Sequence, residues 1–147
     1  MQIDPNYSVA YYNLGVIFSN HGKIKDAILQ FGKALQLSPN MIQALYRLSW
    51  ILSTYEDEEY RNGEKAVKLA AQLCKITQNN QPLALDALAA AYAEKGRFDD
   101  AVLTAKKGLE LSLLSGHKEL VLGLKERLQL YQVKRAYRQS FDQKNES

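Results

Sequence analysis

Two histidines, one cysteine and a run of four acids are the groups in this 147-residue sequence that could carry acid–base, nucleophilic or metal chemistry. Catalysis by such groups needs an orienting partner beside each, and a metal site needs several ligands at short, regular spacing. His21 and His117 each fall at a predicted helix boundary without Cys, Asp and Glu in metal-ligand spacing, so a turn or capping role accounts for both. Cys74, in the stretch Leu69-Ala70-Ala71-Gln72-Leu73-Cys74, reads as a small core residue, and one thiol forms no internal disulfide. No glycine-rich phosphate loop follows a strand, because no strand is expected. This leaves no catalytic residue, no metal ligand and no cofactor site; what remains is the chemistry of recognition, by aromatic rings and by charge.

The elements that must position those groups are helices, and their pattern recurs. Residues 11 to 39 read Tyr11-x2-Leu14-Gly15-x2-Phe18, then Ala27-x3-Phe31, Ala34 and Pro39. A second stretch reads Leu45-x2-Leu48-Ser49-x2-Leu52, then Ala66-x3-Ala70 and Leu73. A third reads Leu85-x2-Leu88-Ala89-x2-Tyr92, then Gly96, Phe98, Ala101-x3-Ala105 and Gly108. Pro5 and Pro39 lie 34 residues apart, as do Leu14 and Leu48. Small residues at Gly15, Ala27, Ala34, Ala89 and Ala101 let two helix axes approach, while Leu14, Phe18, Phe31, Leu88 and Tyr92 fill the space beside them. Gly22 and Gly96 fall at first-helix ends that commonly need a left-handed backbone. Asp99 and Asp100 suit the opening turn of the next helix, where the macrodipole favours negative charge.

This pattern resembles the tetratricopeptide repeat, a helix-turn-helix unit of about 34 residues. The resemblance implies an all-α, right-handed superhelical array of about three units, at residues 8–41, 42–81 and 82–115, followed by a capping helix at 116–138 and a polar tail at 139–147 that should fray. Residues 1–7 then resemble the tail of a preceding repeat, and the chain is expected to be a carboxy-terminal piece of a longer protein. Met1-Gln2-Ile3-Asp4-Pro5 has neither the basic start nor the apolar stretch of a secretory signal. No run of about 18 apolar residues suggests a membrane span. Residues 45–138 are also similar to the carboxy-terminal repeats of large bacterial proteins in which such arrays follow a membrane-embedded or glycosyltransferase-like part. That likeness implies a bacterial origin and a tail role, and it transfers no activity.

In the family, first helices line a concave groove that holds an extended peptide or a partner helix. Carried over position by position, the groove comprises Val9, Tyr12, Val16, Ser19 and Asn20, then Gln43, Tyr46, Trp50, Ser53 and Thr54, then Leu83, Asp86, Ala90, Ala93 and Glu94. Arg47 is the one cation expected near it. Tyr12 and Val16 stand where chaperone-clamping repeats place Lys and Asn, so a grip on a terminal carboxylate is disfavoured. Trp50, Tyr46 and Tyr12 are the expected anchors, and two readings of Trp50 stand. As a groove residue its truncation weakens binding and spares the melt; as a core residue its truncation unfolds the array.

Two departures bear on function. Between Leu52 and Ala66 the second unit is five residues longer than the first is between Phe18 and Ala27, and the extra segment, at about 53–63, contains Glu56-Asp57-Glu58-Glu59. Four acids in a row must face water, as a solvated loop or as an edge that selects basic partners. Charge is also uneven: ten Lys and Arg face eleven Asp and Glu through residue 100, then nine face five. Arg127, Lys134 and Arg138 would share one face of the cap helix, with Tyr131 and Tyr137 as its exposed rings. That is a weak footprint for nucleic acid, which is disfavoured as a partner. The expected function is protein–protein interaction, with a peptide or partner helix in an aromatic-centred groove. An architectural end segment that self-associates through exposed repeat faces is the main alternative, and no enzyme is expected.

Overall fold

In the computed structural model, which describes residues 4–139, the chain is all-helical. Helix α1 spans Pro5–Asn20, α2 Ile24–Leu37, α3 Ile42–Thr54, α4 Gly63–Ile76, α5 Pro82–Glu94, α6 Phe98–Ser115 and α7 Lys118–Gln132. Residues 1–3, part of the expected remnant of an earlier repeat, and residues 140–147, most of the tail expected to fray, lie outside the described residues. The local signals explain the boundaries. The Asp4 carboxylate accepts from the Asn6 amide ahead of Pro5 at the first turn of α1, and Asn62 accepts from the Lys65 amide to cap α4. Gly22 and Gly96 adopt φ of 73° and 79°, turning the chain between the helices of the first and third hairpins. Asp99 and Asp100 sit in the first turn of α6.

Helices pair as α1 with α2, α3 with α4 and α5 with α6, and each pair packs on the next through α2 with α3 and α4 with α5. Close approach within hairpins depends on the expected small residues: Ala27, Ala34, Ala89 and Ala101 have no exposed surface, and neither has Ser49. Gly15 faces the buried Phe31 ring so closely that an added Cβ would lie 2.6 Å from it. The Gly15→Ala variant is therefore expected to lose about 1–3 kcal/mol, because the buried ring or the helix axis must shift to admit the methyl group. Urea denaturation checks this, and a midpoint equal to that of the native chain would show that Phe31 gives way freely.

Leu14 corrects the expectation that it fills space between helices. It is 42% exposed, on the side of α1 that also carries Tyr7 and Ile17, whereas its counterpart Leu48 is 1% exposed. The difference is positional: α2 packs on α3 and joins Leu48 to the core, but among the described residues no helix covers that side of α1. The inserted segment is a loop with one short 3-10 turn, Glu58–Tyr60, and all four of its acids are exposed. Tyr55 and Tyr60 anchor it edge to face at 5.8 Å.

The cap helix stops at Gln132, six residues short of the expected end. Lys134 takes a left-handed conformation (φ 58°); its amide donates to Tyr131 and that of Arg135 to Leu130, a pairing that ends a helix and reverses the chain. Residues 135–139 then run back outside any helix across the ends of α3 and α5, where Gln139 bridges Tyr55 in a parallel sense.

Candidate protein-binding groove

The groove positions expected on α1, α3 and α5 grade from open to closed along the chain. On α1, Val9 and Asn20 are exposed, with Tyr12 and Val16 half-buried. Tyr12 leans on Phe31 at 5.7 Å, so part of its ring serves the hairpin interior. On α3, Gln43 and Arg47 are exposed and Tyr46 is half-buried, while Trp50 is 8% exposed and Ser53 fully buried. On α5, Asp86 and Ala90 are buried and Glu94 is largely so. A wall that closes progressively requires something to lie over its far end.

That covering is α7 and the segment after it. Arg127, from the middle of α7, reaches the wall and forms a two-pronged ion pair with Asp86, at 2.8 Å from Nε and 2.7 Å from Nη2. Its guanidinium lies beside two adjoining rings, 5.3 Å from Trp50 and 5.2 Å from Tyr137. Burial raises the Asp86 carboxyl above its ordinary value, and the Arg127 charge works against that rise. For Arg127, burial lowers the pKa, but the Asp86 charge and hydrogen bond, with smaller help from Tyr131 and Tyr137, together outweigh it and hold the guanidinium above its ordinary value. Burial, followed by the Asp86 charge, pushes the Tyr46 hydroxyl up to about 12, so it stays protonated. Burial likewise lifts the Cys74 thiol to about 11, consistent with a core residue rather than a nucleophile.

The returning segment completes the cover. Tyr137 packs on Trp50 at 5.9 Å, and the Trp50 indole N–H donates to the Gln139 side-chain oxygen at 2.7 Å. The Gln139 amide donates to the Thr54 carbonyl, and Arg138 donates to the Ser53 carbonyl. Glu94 is bound from both sides, by Arg138 at 2.6 Å and by Arg61 at 3.1 Å.

Three expectations are corrected by this arrangement. Arg127, Lys134 and Arg138 do not form one basic stripe, because α7 ends before Lys134 and two of the three charges are paired with groove carboxylates. Tyr131 is buried and not an exposed ring beside that stripe. Arg47 is not the sole cation near the groove, since Arg61, Arg127 and Arg138 also reach it. What stays open is a concavity of about 500 Å³ that brings together Tyr46, Arg47, Trp50 and Asp86, with Leu83, Leu120 and Arg127 beside them. Val9, Tyr12, Val16, Asn20, Gln43, Ser53, Ala90 and Glu94 do not line it.

Comparison with known proteins agrees with this architecture. The chain is 34% identical over 90 residues to the Photosystem I assembly protein Ycf3 of Acaryochloris marina, an alignment covering 54% of each. It thus spans about half the length of the curated relative it matches, and that relative is bacterial, as the likeness to bacterial repeat tails implied. Residues 8–41 match the tetratricopeptide repeat, with the bounds expected for the first unit. Residues 8–41 are thus similar to a tetratricopeptide repeat, and the helical hairpins that follow stack on that one in series, as repeats of this kind do.

Proposed function

We propose that this chain is a non-enzymatic protein-interaction module that captures a peptide or a partner helix on the open part of its inner wall, in an assembly role. The observation that carries the reading is the 500 Å³ concavity framed by Tyr46, Arg47, Trp50 and Leu83, in which an aromatic floor is ringed by charge. An apolar surface with a few fixed polar groups is what a linear ligand needs for affinity and orientation. The relative's name describes assembly of photosystem I, and only the general idea of an assembly role is taken from it here.

A random-peptide display selection on the full chain tests the reading. Leu83 is half exposed and Arg47 is exposed, so Leu83→Asp and Arg47→Glu are expected to keep the native melting transition. Each should weaken selected peptides at least about tenfold, roughly the 1.4 kcal/mol that a modest contact contributes. Peptides indifferent to both changes would place the binding face elsewhere.

A second reading rests on the exposed side of α1, where Tyr7, Leu14 and Ile17 form an apolar strip at helical spacing. Such a strip suits stacking against another repeat, in a longer solenoid or in a second copy. Light scattering that rises with concentration and is abolished by Ile17→Lys is the signature of self-association.

A further inference from the structure

We propose that the closed end of the groove is a binding site for a linear peptide carrying an aromatic residue followed directly by arginine and then an amide side chain, and that Tyr137-Arg138-Gln139 hold this site in cis. The inference deepens the peptide-capture reading above and rests on it.

The receiving groups make a separate contact to each of the three consecutive side chains. Trp50 and Arg127 take the aromatic ring, Glu94 takes the arginine, and the indole N–H takes the amide oxygen. The backbone of the segment is tied through the Gln139 amide to the Thr54 carbonyl, where Gln139 bridges Tyr55 in a parallel sense. Main-chain hydrogen bonds joined to side-chain sites along an extended strand are a general mode of peptide recognition. The charge complementarity is specific, because Glu94 is a carboxylate in a largely buried setting that accepts two arginines.

The receiving groups are also held without the segment. Arg61 fixes Glu94, Asp86 fixes Arg127, and Tyr46 stacks on Trp50 at 6.0 Å. A site held in this way keeps its geometry when its occupant leaves, and preorganisation lowers the cost of rebinding. The occupant is joined to α7 by the reversal at Lys134, beside an exposed Val133, so it can depart without unwinding the helix. A tethered competitor acts at an effective concentration in the millimolar range, so a peptide in trans meets a largely filled site in the native chain.

The test uses the full chain and a fluorescent peptide of sequence Val133–Gln139, read by anisotropy. Arg138→Glu in the protein sets like charge against Glu94 and releases the segment; Tyr137→Ala releases it by a second route. Both variants are expected to bind the peptide at least about tenfold more tightly than the native chain does. A peptide with Glu in place of its arginine should not bind. The proposal is overturned if folded variants bind no better than the native chain, or accept the Glu-bearing peptide equally. It is also overturned if both variants lose their helical circular dichroism, since the segment is then a structural closure. Display selection on the Arg138→Glu protein separates the two readings: selected peptides without the aromatic–arginine pair leave peptide capture standing and remove this ligand, whereas no selected peptides from either protein remove both.

Discussion

The Asp86→Ala variant is expected to lose about 3–5 kcal/mol of stability, the cost of leaving a buried charge without its partner. Asp86 is 1% exposed and both of its oxygens are engaged by Arg127. Removing the carboxylate strands the guanidinium against Trp50 and Tyr137, where the rings replace little of the lost charge pairing. Arg127→Met should cost less, because an isolated carboxyl has an escape that a guanidinium lacks: it can take up a proton. Burial already raises the Asp86 pKa above its unfolded value, and losing the opposing Arg127 charge raises it further. A carboxyl with a raised folded pKa binds more protons folded than unfolded, so its favourable term is complete below the unfolded value and is lost as pH rises through the folded value. Arg127→Met should therefore be more stable at about pH 4 than at about pH 7, relative to the native chain at each pH. The double variant Asp86→Leu, Arg127→Met removes both charges and should lie within about 1 kcal/mol of the native chain. Urea denaturation of the three variants decides the matter; equal losses in the single and double variants would show that ring packing, and not charge pairing, holds α7 to the wall.

The repeats were legible in sequence for a physical reason. Hairpin packing is local, so Gly15, Ser49 and Ala89 recur where two axes cross, with Phe31 and Leu48 beside them, and such spacing survives as a pattern in one dimension. The closure of the groove was not legible, because it depends on contacts between distant positions. Asp86 and Arg127 are separated by 41 residues, and Trp50 and Gln139 by 89. One signal was present: Asp86 is the one acid in the stretch Leu85-Asp86-Ala87-Leu88-Ala89-Ala90-Ala91 of α5, and a charge set among so many apolar residues calls for a cation. The returning segment offered none, since Ala136-Tyr137-Arg138-Gln139 continues the polar composition of α7 and no glycine marks the reversal that Lys134 makes. The acidic loop was legible as exposed, because four adjacent carboxylates have no other stable setting.

Trp50→Ala is expected to lower stability by about 3–5 kcal/mol, as large-to-small changes of buried tryptophan do. Of the two readings of Trp50, this is the one its surroundings favour. It is 8% exposed within the main hydrophobic cluster, stacked on Tyr46, tilted against Tyr137 and lying under the Arg127 guanidinium. Truncation therefore removes the wall, the covering segment and one face of the ion pair together. Trp50→Phe keeps a ring and deletes the indole N–H that bonds Gln139, and it should cost only about 1 kcal/mol, the net contribution of one such bond. The pair of variants separates packing from hydrogen bonding, and a guanidinium or urea titration followed by circular dichroism reads both. Trp50 is the only tryptophan in the sequence, so in the otherwise native chain its fluorescence reports the covering segment directly: Arg138→Glu should shift the emission to the red as Tyr137 and Gln139 leave the indole. A Trp50→Ala chain that melted with the native one would return this residue to the role of a free anchor in the groove, and would mean that the contacts around the indole contribute little to holding α3, α5 and α7 together.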